Sequence, residues 1–300
     1  GVAVYAPQDT KPLYAGLFGY SEGLLRDIVY LLDADKNITL FNSDGSVNLY
    51  VGGLLGGNAG TVQNCAVAGL SLNAYVFGAN LYAGGLIGQN NGIVRDCGAE
   101  TADLLADNSG YANSLLGGLV GQNTRSISNT YAVGRLSVTV DKTSAADICG
   151  FVGDNTGTIS SCYAAADLQS SGLGASTFGF AAQGGLDACY FLNDGNFTYR
   201  DKSYIASYEA NMATAVSYAD LATNNTSLSS SMQVPAAGYP YPSALRNGGE
   251  AVHYGEWPVP MELGEMGVYY WEKLELGGNA SYHVSLLAVD PVKKSITKET

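Results

Sequence analysis

The sequence predicts an all-β protein: a parallel β-helix, or solenoid, of about six coils with a C-terminal cap and a terminal β-hairpin. Three observations lead to this fold class. One glycine-rich phrase recurs along the chain, the segments between its copies are short and rich in β-branched and aromatic residues, and turn-forming Asn and Gly separate those segments. Each observation constrains a different part of the coil.

The repeated phrase is clearest in four copies: "VGGLLGGNAGTVQNC" (51–65), "AGGLIGQNNGIVRDC" (83–97), "LGGLVGQNTRSISNT" (116–130) and "ICGFVGDNTGTISSC" (148–162). Degenerate copies occupy 14–28 and 177–189. The steps between successive anchor glycines are 37, 32, 33, 32 and 29 residues, for the anchors Gly16, Gly53, Gly85, Gly118, Gly150 and Gly179. Copies at so regular a spacing indicate the coils of a solenoid, whereas a phosphate-binding loop would occur once.

The residue types favour strands over helical repeats. Helical repeats need stretches rich in Ala, Leu and Glu with few glycines, whereas this chain has 39 Gly among 300 residues. A period of about 32 residues suits three short strands and three corners per coil, with neighbouring coils about 4.8 Å apart. Equivalent positions then form columns along the solenoid axis.

Two apolar columns predict the interior. They lie two and nine residues after the anchor, as Leu55, Ile87, Val120, Val152 and Ala181 and as Leu25, Val62, Val94, Ile127 and Ile159. A polar column five residues after the anchor contains Asn58, Asn90, Asn123 and Asn155. Asn tolerates left-handed corners and its amide can bond along the stack. Calcium binding is the alternative for this column, although repeated calcium sites need carboxylates.

A third column, twelve residues after the anchor, contains most of the cysteines: Cys65, Cys97 and Cys162, joined by Cys189 if the last coil has lost two residues. Ile28 and Thr130 share the column. We therefore expect buried thiols that pack in the interior and resist alkylation. The alternatives are a disulfide between stacked coils and a soft-metal site, although the repeats contain no His to complete a zinc site.

Composition limits the possible partners. With 14 basic and 27 acidic residues the formal net charge is −13, which argues against nucleic acid or an anionic membrane surface as a partner. The 46% hydrophobic content excludes a disordered chain. No apolar stretch is long enough to span a bilayer, so we predict no membrane insertion in this segment.

The phrase Gly-Gly-Leu-x-Gly-x-Asn, followed by a small-polar strand that ends near Cys-Tyr-Ala, resembles the GLUG repeat of bacterial surface proteins. The resemblance covers roughly residues 14–190 and is closest at 52–69, 84–100, 117–134 and 149–166. It implies a β-solenoid displayed outside the cell, as in large adhesin-like proteins and in the stalks of bacterial immunoglobulin-A peptidases. It carries over no catalytic residue.

The composition changes near residue 190, which predicts three parts: a solenoid at 1–190, a cap at 191–246, and a linker with a β-hairpin at 247–300 that could begin a further domain. In the cap, Tyr204, Tyr208, Met212 and Val216 recur every fourth position, which predicts a helix across the last coil, followed by a Pro-rich loop. The segments "GVYYWEKLEL" and "ASYHVSLLAV" flank "GGN" and predict the hairpin.

The sequence offers little chemistry. His253 and His283 follow no nucleophile or metal motif, so we predict no catalytic residue, no metal ligand and no cofactor. A β-helix polysaccharide lyase or hydrolase is the enzymatic alternative. Such an enzyme needs clustered carboxylates and a base, whereas the coils offer the pair Arg95-Asp96, which is expected to be a charged surface pair.

Three tyrosines are the candidate binding residues. Tyr131, Tyr163 and Tyr190 stack in one column, thirteen residues past their anchors with the same two-residue correction in the last coil. An exposed aromatic ladder of this kind could bind sugar rings, and the alternative is a structural ladder that protects the coil edge. A second aromatic cluster, formed by Tyr239, Tyr241, Tyr254 and Trp257, is interpreted as cap packing.

Together these features predict a non-catalytic, extracellular structural or adhesive segment of a larger bacterial cell-surface protein. Its partner would be a host or bacterial surface glycan or protein. The alternatives are a carbohydrate-binding module and a β-helix polysaccharide enzyme.

Overall fold

The computed structural model confirms the fold class, because its described residues are nearly all β, with very little helix, and wind into a parallel β-solenoid of about five turns. The structure describes residues 2–5, 12–32, 37–42, 47–193, 195–199, 202–206, 213–222, 228, 232–233, 240–242, 246–247, 250–251, 268–276, 279–290 and 295–298. The chain divides into two compact units, Gly1–Leu245 and Arg246–Thr300. The first unit contains the coils.

Three parallel sheets form the walls of the solenoid. Sheet I contains β2 (Leu13–Ala15), β7 (Leu49–Gly52), β11 (Leu81–Gly84), β15 (Asn113–Gly117), β19 (Ala145–Cys149) and β22 (Ala175–Phe178). Sheet II contains β3 (Phe18–Ser21), β8 (Leu55–Asn58), β12 (Ile87–Asn90), β16 (Val120–Asn123) and β20 (Val152–Asn155).

Sheet III is larger because it combines a row of short strands with a row of long ones. The short strands are β4 (Leu24–Arg26), β9 (Thr61–Gln63), β13 (Ile93–Arg95) and β17 (Ser126–Ser128). The other row contains β1 (Val2–Tyr5), β5 (Val29–Leu31), β6 (Ile38–Asn42), β10 (Ala66–Phe77), β14 (Gly98–Ser109) and β18 (Tyr131–Val140). The strands β21 (Thr158–Ser171) and β23 (Gly185–Leu192) run through both rows.

Each complete coil therefore has four strand segments, whereas the period predicts three. The additional segment follows the cysteine corner, where "AVAGLSLNAYVF" forms all twelve residues of β10. Its inward residues Leu72, Ala74 and Val76 are buried, and its outward residues Tyr75 and Phe77 are exposed. This inward–outward alternation is what a sheet with one solvent-facing side requires.

The register of the predicted columns is confirmed. The Gly53 N–H donates to the Gly85 carbonyl over 3.3 Å, and a Cβ placed on Gly118 would lie 2.1 Å from the Gly150 carbonyl oxygen. Gly is therefore required at this column by the close approach of two backbones. The column pairs continue to Val152↔Ala181, Cys162↔Cys189 and Tyr163↔Tyr190, so the last coil has lost two residues as predicted.

The asparagine column forms a buried hydrogen-bonded ladder. Asn58, Asn90 and Asn123 each donate from Nδ2 to Oδ1 of the next asparagine, over 2.8, 2.8 and 2.7 Å, and the ladder ends at Asn155. The predicted bonding along the stack is thus confirmed. These asparagines do not form the left-handed corners, because none of them has a positive φ.

The left-handed corner lies six residues further along each coil. Asp27, Asn64, Asp96 and Asn129 have φ values of 60°, 53°, 56° and 53°. Asp and Asn adopt this conformation more readily than other residues that carry a Cβ. Their side chains also bond between coils, because the Asn64 amide donates to Asp27 over 2.9 Å and the Asn129 amide donates to Asp96.

The described part of the C-terminal segment differs from the predicted helical cap. Tyr204 lies in β25 (Lys202–Ala206), which pairs antiparallel with β24 (Gly195–Tyr199), and Val216 lies in β26 (Thr214–Val216). The single described helix, α1 (Tyr218–Ala222), is later and has five residues. The predicted stripe is wrong at both ends, while Tyr208 and Met212 lie outside the described residues.

A strand takes the place expected for the helix. β26 pairs parallel with β23 and so extends sheet III past the last coil. A strand added to a sheet edge satisfies the edge hydrogen bonds directly, which a helix cannot do. The short strands β27 (Met232–Gln233) and β28 (Tyr241–Pro242) pair antiparallel in the same unit. No helix in the described part of the chain is long and apolar enough to cross a membrane.

The second unit contains the predicted hairpin. β31 (Val268–Leu276) pairs antiparallel with β32 (Asn279–Asp290), and β33 (Ser295–Lys298) adds a third strand to the sheet. A short antiparallel pair precedes it, formed by β29 (Arg246–Asn247) and β30 (Glu250–Ala251).

Candidate functional site

The three predicted binding tyrosines are aligned but mostly buried. Tyr131, Tyr163 and Tyr190 are in register, and the first two rings stack with centroids 5.7 Å apart. Tyr131 is 2% exposed, Tyr163 is 0% exposed and Tyr190 is half-buried. The expectation of an exposed aromatic ladder is therefore wrong for Tyr131 and Tyr163.

Two contacts explain this burial. The Tyr131 ring lies against Gly98, where a Cβ would come within 2.3 Å of the ring, and its hydroxyl donates to the buried Glu100 carboxylate over 3.0 Å. The Tyr163 hydroxyl donates to the carbonyl of Pro240 in the C-terminal segment. A sugar cannot reach ring faces enclosed in this way.

A second aromatic ladder lies on the outer side of sheet I. Tyr14, Tyr50 and Tyr82 stack with centroids 5.0 and 4.8 Å apart, and Tyr20 meets Tyr14 edge-on at 5.0 Å. Burial raises the pKa of Tyr14 and of Tyr82. Because neighbouring rings cover each other's faces, the column presents mainly edges and acts as structural reinforcement.

Outward amides of sheet II form a matching ladder. Gln89 donates to Gln122 over 2.8 Å, and Gln122 donates to Asp154 over 3.0 Å. Gln183 donates to the other Asp154 oxygen over 3.2 Å, so both carboxylate oxygens are engaged within the stack. The pKa of the nearby Asp147 is raised, first by burial and second by the charge of Asp154.

Four of the cysteines occupy the predicted interior column, and Cys149 ends β19 in sheet I. All five are free and buried. The Cys97 thiol donates to the Arg95 carbonyl over 3.0 Å, and the Cys162 thiol donates to the Ser160 carbonyl over 3.0 Å. Burial raises the pKa of Cys97, Cys149 and Cys162, and it raises that of Cys189 to about 11. The thiols therefore pack and donate hydrogen bonds to corner carbonyls.

In the part of the chain that the structure describes, no three His, Cys, Asp or Glu side chains cluster as metal ligands. The asparagine column bonds to itself, so its oxygens are not directed at a cation.

Two other features of the sequence analysis can be placed in the structure. Arg95, considered above as part of a charged pair, donates to Gln63 over 2.8 Å. Of the second aromatic cluster, Tyr241 is buried, and Tyr239, Tyr254 and Trp257 lie outside the described residues.

A depression on the outer face of the long strands is the candidate binding site. It has a volume of about 260 Å³ and is lined by Phe41, Asn42, Tyr75, Val76, Phe77, Asp107 and Ser109. Phe41, Tyr75 and Phe77 are 38%, 39% and 57% exposed, which is high for aromatic residues within strands. The Phe41 and Tyr75 rings stack with centroids 5.3 Å apart.

The depression arises from a step in side-chain size along one column. Phe41, Tyr75, Asp107, Thr139 and Ser171 succeed one another in neighbouring coils, and Ser109 likewise follows Phe77. Large aromatic side chains therefore stand next to short polar ones one coil away. Phe41 covers one face of the Tyr75 ring, and the other face looks towards the coil of Asp107.

The columns of the repeated phrase do not predict this site, because Tyr75 and Phe77 lie in the segment that follows the phrase. The signal was nevertheless present in "SLNAYVF" (71–77), where polar and aromatic residues alternate with apolar ones. Alternation of period two places Tyr75 and Phe77 on the solvent side of a half-buried strand.

The comparisons with known proteins add no relative. No protein-family model, no curated protein and no solved structure matches this chain significantly. The resemblance to GLUG repeats therefore rests on the repeated phrase itself.

Proposed function

We propose that the chain is a non-catalytic structural and adhesive segment of a bacterial cell-surface protein, displayed outside the cell. The observation that carries the proposal is the set of continuous side-chain ladders. Asparagine, glutamine, tyrosine and apolar columns each join successive coils, which gives a rigid stack that can present a continuous side-chain surface to a partner.

The distribution of exposed apolar side chains supports an adhesive role. Among the described residues, nine large apolar side chains are exposed, and five of them lie at or just after the C-terminal ends of strands in the long row of sheet III: Phe41, Tyr75, Phe77, Tyr111 and Leu173. Tyr111 and Leu173 are 85% and 96% exposed. Clustered exposed apolar residues are typical of interaction sites. The resemblance to GLUG repeats of surface proteins supports display outside the cell.

The enzymatic alternative has less support. The half-buried carboxylates Asp147 in β19 and Asp154 in β20 are close enough for the charge of Asp154 to raise the pKa of Asp147, but amide donors occupy both Asp154 oxygens. A β-helix lyase or hydrolase needs carboxylates free to act on substrate. A carbohydrate-binding module remains the second candidate, supported by the aromatic depression rather than by Tyr131, Tyr163 and Tyr190.

Bead adhesion tests the proposal. Beads coated with the full chain should attach to bacterial or epithelial cells more than beads coated with the variant Tyr111→Ser/Leu173→Ser/Phe77→Ser. The folded state of this variant is checked by circular dichroism. The full chain should also release no reducing or unsaturated ends from polysaccharides. Equal attachment of coated and uncoated beads, or steady release of such ends, would contradict the proposed function.

A further inference from the structure

We propose that the depression around Tyr75, Phe77 and Asp107 binds a neutral saccharide chain. The inference rests on the proposed adhesive function, for which it names the ligand class. The first support is the combination of aromatic and polar groups in one place. Ligand sites are mostly apolar with a few polar groups that fix orientation, and this lining has aromatic rings beside a carboxylate and a hydroxyl.

The step in side-chain size creates room for a ring-shaped ligand. The ring of Tyr75 is covered by Phe41 on one side, and the next residue of its column is the shorter Asp107. Coils are separated by about 4.8 Å. A sugar ring placed over the coil of Asp107 therefore has its C–H face towards aromatic carbon, while its hydroxyls point towards the Asp107 carboxylate and the Ser109 hydroxyl.

The column beyond Asp107 favours a chain over a single sugar. Thr139 and Ser171 continue the same column in the next two coils, and both are exposed. The Ser171 hydroxyl lies 3.2 Å from the Thr139 hydroxyl. A strip of short polar side chains thus leads away from the aromatic rings along the solenoid axis, a path that a linear oligosaccharide can follow.

Charge decides which saccharides fit. Asp107 is the charged residue of the lining, which contains no Lys, Arg or His, and the chain carries a formal net charge of −13. Uronate and sulfate groups would be repelled at this site. Neutral sugar hydroxyls instead donate to the carboxylate in charge-assisted hydrogen bonds.

Affinity electrophoresis of the full chain tests the proposal, with neutral polysaccharides (mixed-linkage β-glucan, xyloglucan, galactomannan and mannan) or polygalacturonate cast in native gels. We expect at least one neutral polymer to retard the protein and polygalacturonate to leave it unretarded. Phe77→Ala and Asp107→Ala should each weaken the retardation by about tenfold. Tyr111→Ala removes an aromatic residue outside the lining and should match the unmodified chain.

Several results would overturn the saccharide site. They are the absence of retardation by every neutral polymer, equal retardation by polygalacturonate, and unchanged retardation of Phe77→Ala when its thermal midpoint matches the unmodified chain. The bead assay separates the two proposals. Beads that adhere equally with Phe77→Ala and without competition by neutral polymers would leave adhesion standing and refute the saccharide site, whereas gel retardation without bead adhesion would refute adhesion alone.

Discussion

Replacing Asn123 with Ala tests whether the buried asparagine ladder stabilises the solenoid. Asn123 is fully buried, donates to Asn155 over 2.7 Å and accepts from Asn90 over 2.8 Å and from the Arg125 N–H over 3.3 Å. After the substitution, Asn90 still donates to the Gly92 carbonyl over 3.1 Å. The Asn155 Oδ1 and the Arg125 N–H lose the partners that Asn123 supplies.

The expected cost comes mainly from the Asn155 Oδ1, because the bond to the Arg125 N–H is only partly buried and water can replace it. A buried polar group without a partner costs about 1–3 kcal/mol, so Asn123→Ala should lower the free energy of unfolding by about 2 kcal/mol. Gln122→Ala is the matched control, since Gln122 is the preceding residue and also sits in an amide ladder. Gln122 is only partly buried, so water can replace its bonds and the expected cost is below about 1 kcal/mol.

Urea denaturation followed by circular dichroism measures both variants. The midpoint of Asn123→Ala should fall by about 1 M relative to the unmodified chain, while that of Gln122→Ala should stay close to it. Equal midpoints for the two variants would show that burial of the ladder does not decide its contribution, and the reasoning would fail.

Two further predictions follow from the thiols and from Asp147. In thiol titration all five buried cysteines should be unreactive in the native state and react in denaturant, because burial blocks the reagent. Burial also raises the pKa of Cys97, Cys149, Cys162 and Cys189, whereas a hydrogen bond with the Cys97 side chain lowers the pKa of Cys65, so the expectation for Cys65 rests on its enclosure alone. Prompt native labelling of Cys65, Cys97 or Cys162 would contradict the packing account. Asp147→Asn should stabilise the fold at pH 7, because a folded-state pKa raised above its unfolded value means that the ionised carboxylate opposes folding, and the gain should vanish as the pH falls below about 4. The measurement is the thermal midpoint of Asp147→Asn and of the unmodified chain at pH values from about 4 to 7. A gain in midpoint that does not depend on pH would rule out the electrostatic explanation.

The periodic part of the fold could be predicted from the sequence because solenoid columns are read directly from spacing. Register at Gly118, Cys189 and Asn123 follows from counting residues, since each coil is a translation of its neighbour. The long strands were harder, because the segment 66–77 lies between copies of the phrase and carries its own alternation. The period alone therefore predicted too few strands per coil.

Burial of the tyrosine column could not be read in the same way. Thr130, Tyr131 and Ala132 are all buried, so this stretch shows no alternation between core and solvent. Residues outside the repeat help to cover the column, as the bond from Tyr163 to Pro240 shows. Spacing within the repeat holds no information about a segment that comes later in the chain.

The asparagine ladder has a direction, and that direction bears on how such a chain can lengthen. Asn90 and Asn123 each donate to the following coil and accept from the preceding coil, so an inserted copy of a whole coil finds a donor on one side and an acceptor on the other. Duplication of one repeat would therefore lengthen the solenoid by about 4.8 Å without disturbing either neighbour. A duplication of part of a coil would place other residues in the asparagine column and interrupt its hydrogen bonds. During evolution the solenoid can therefore lengthen with its ladder intact only by whole coils.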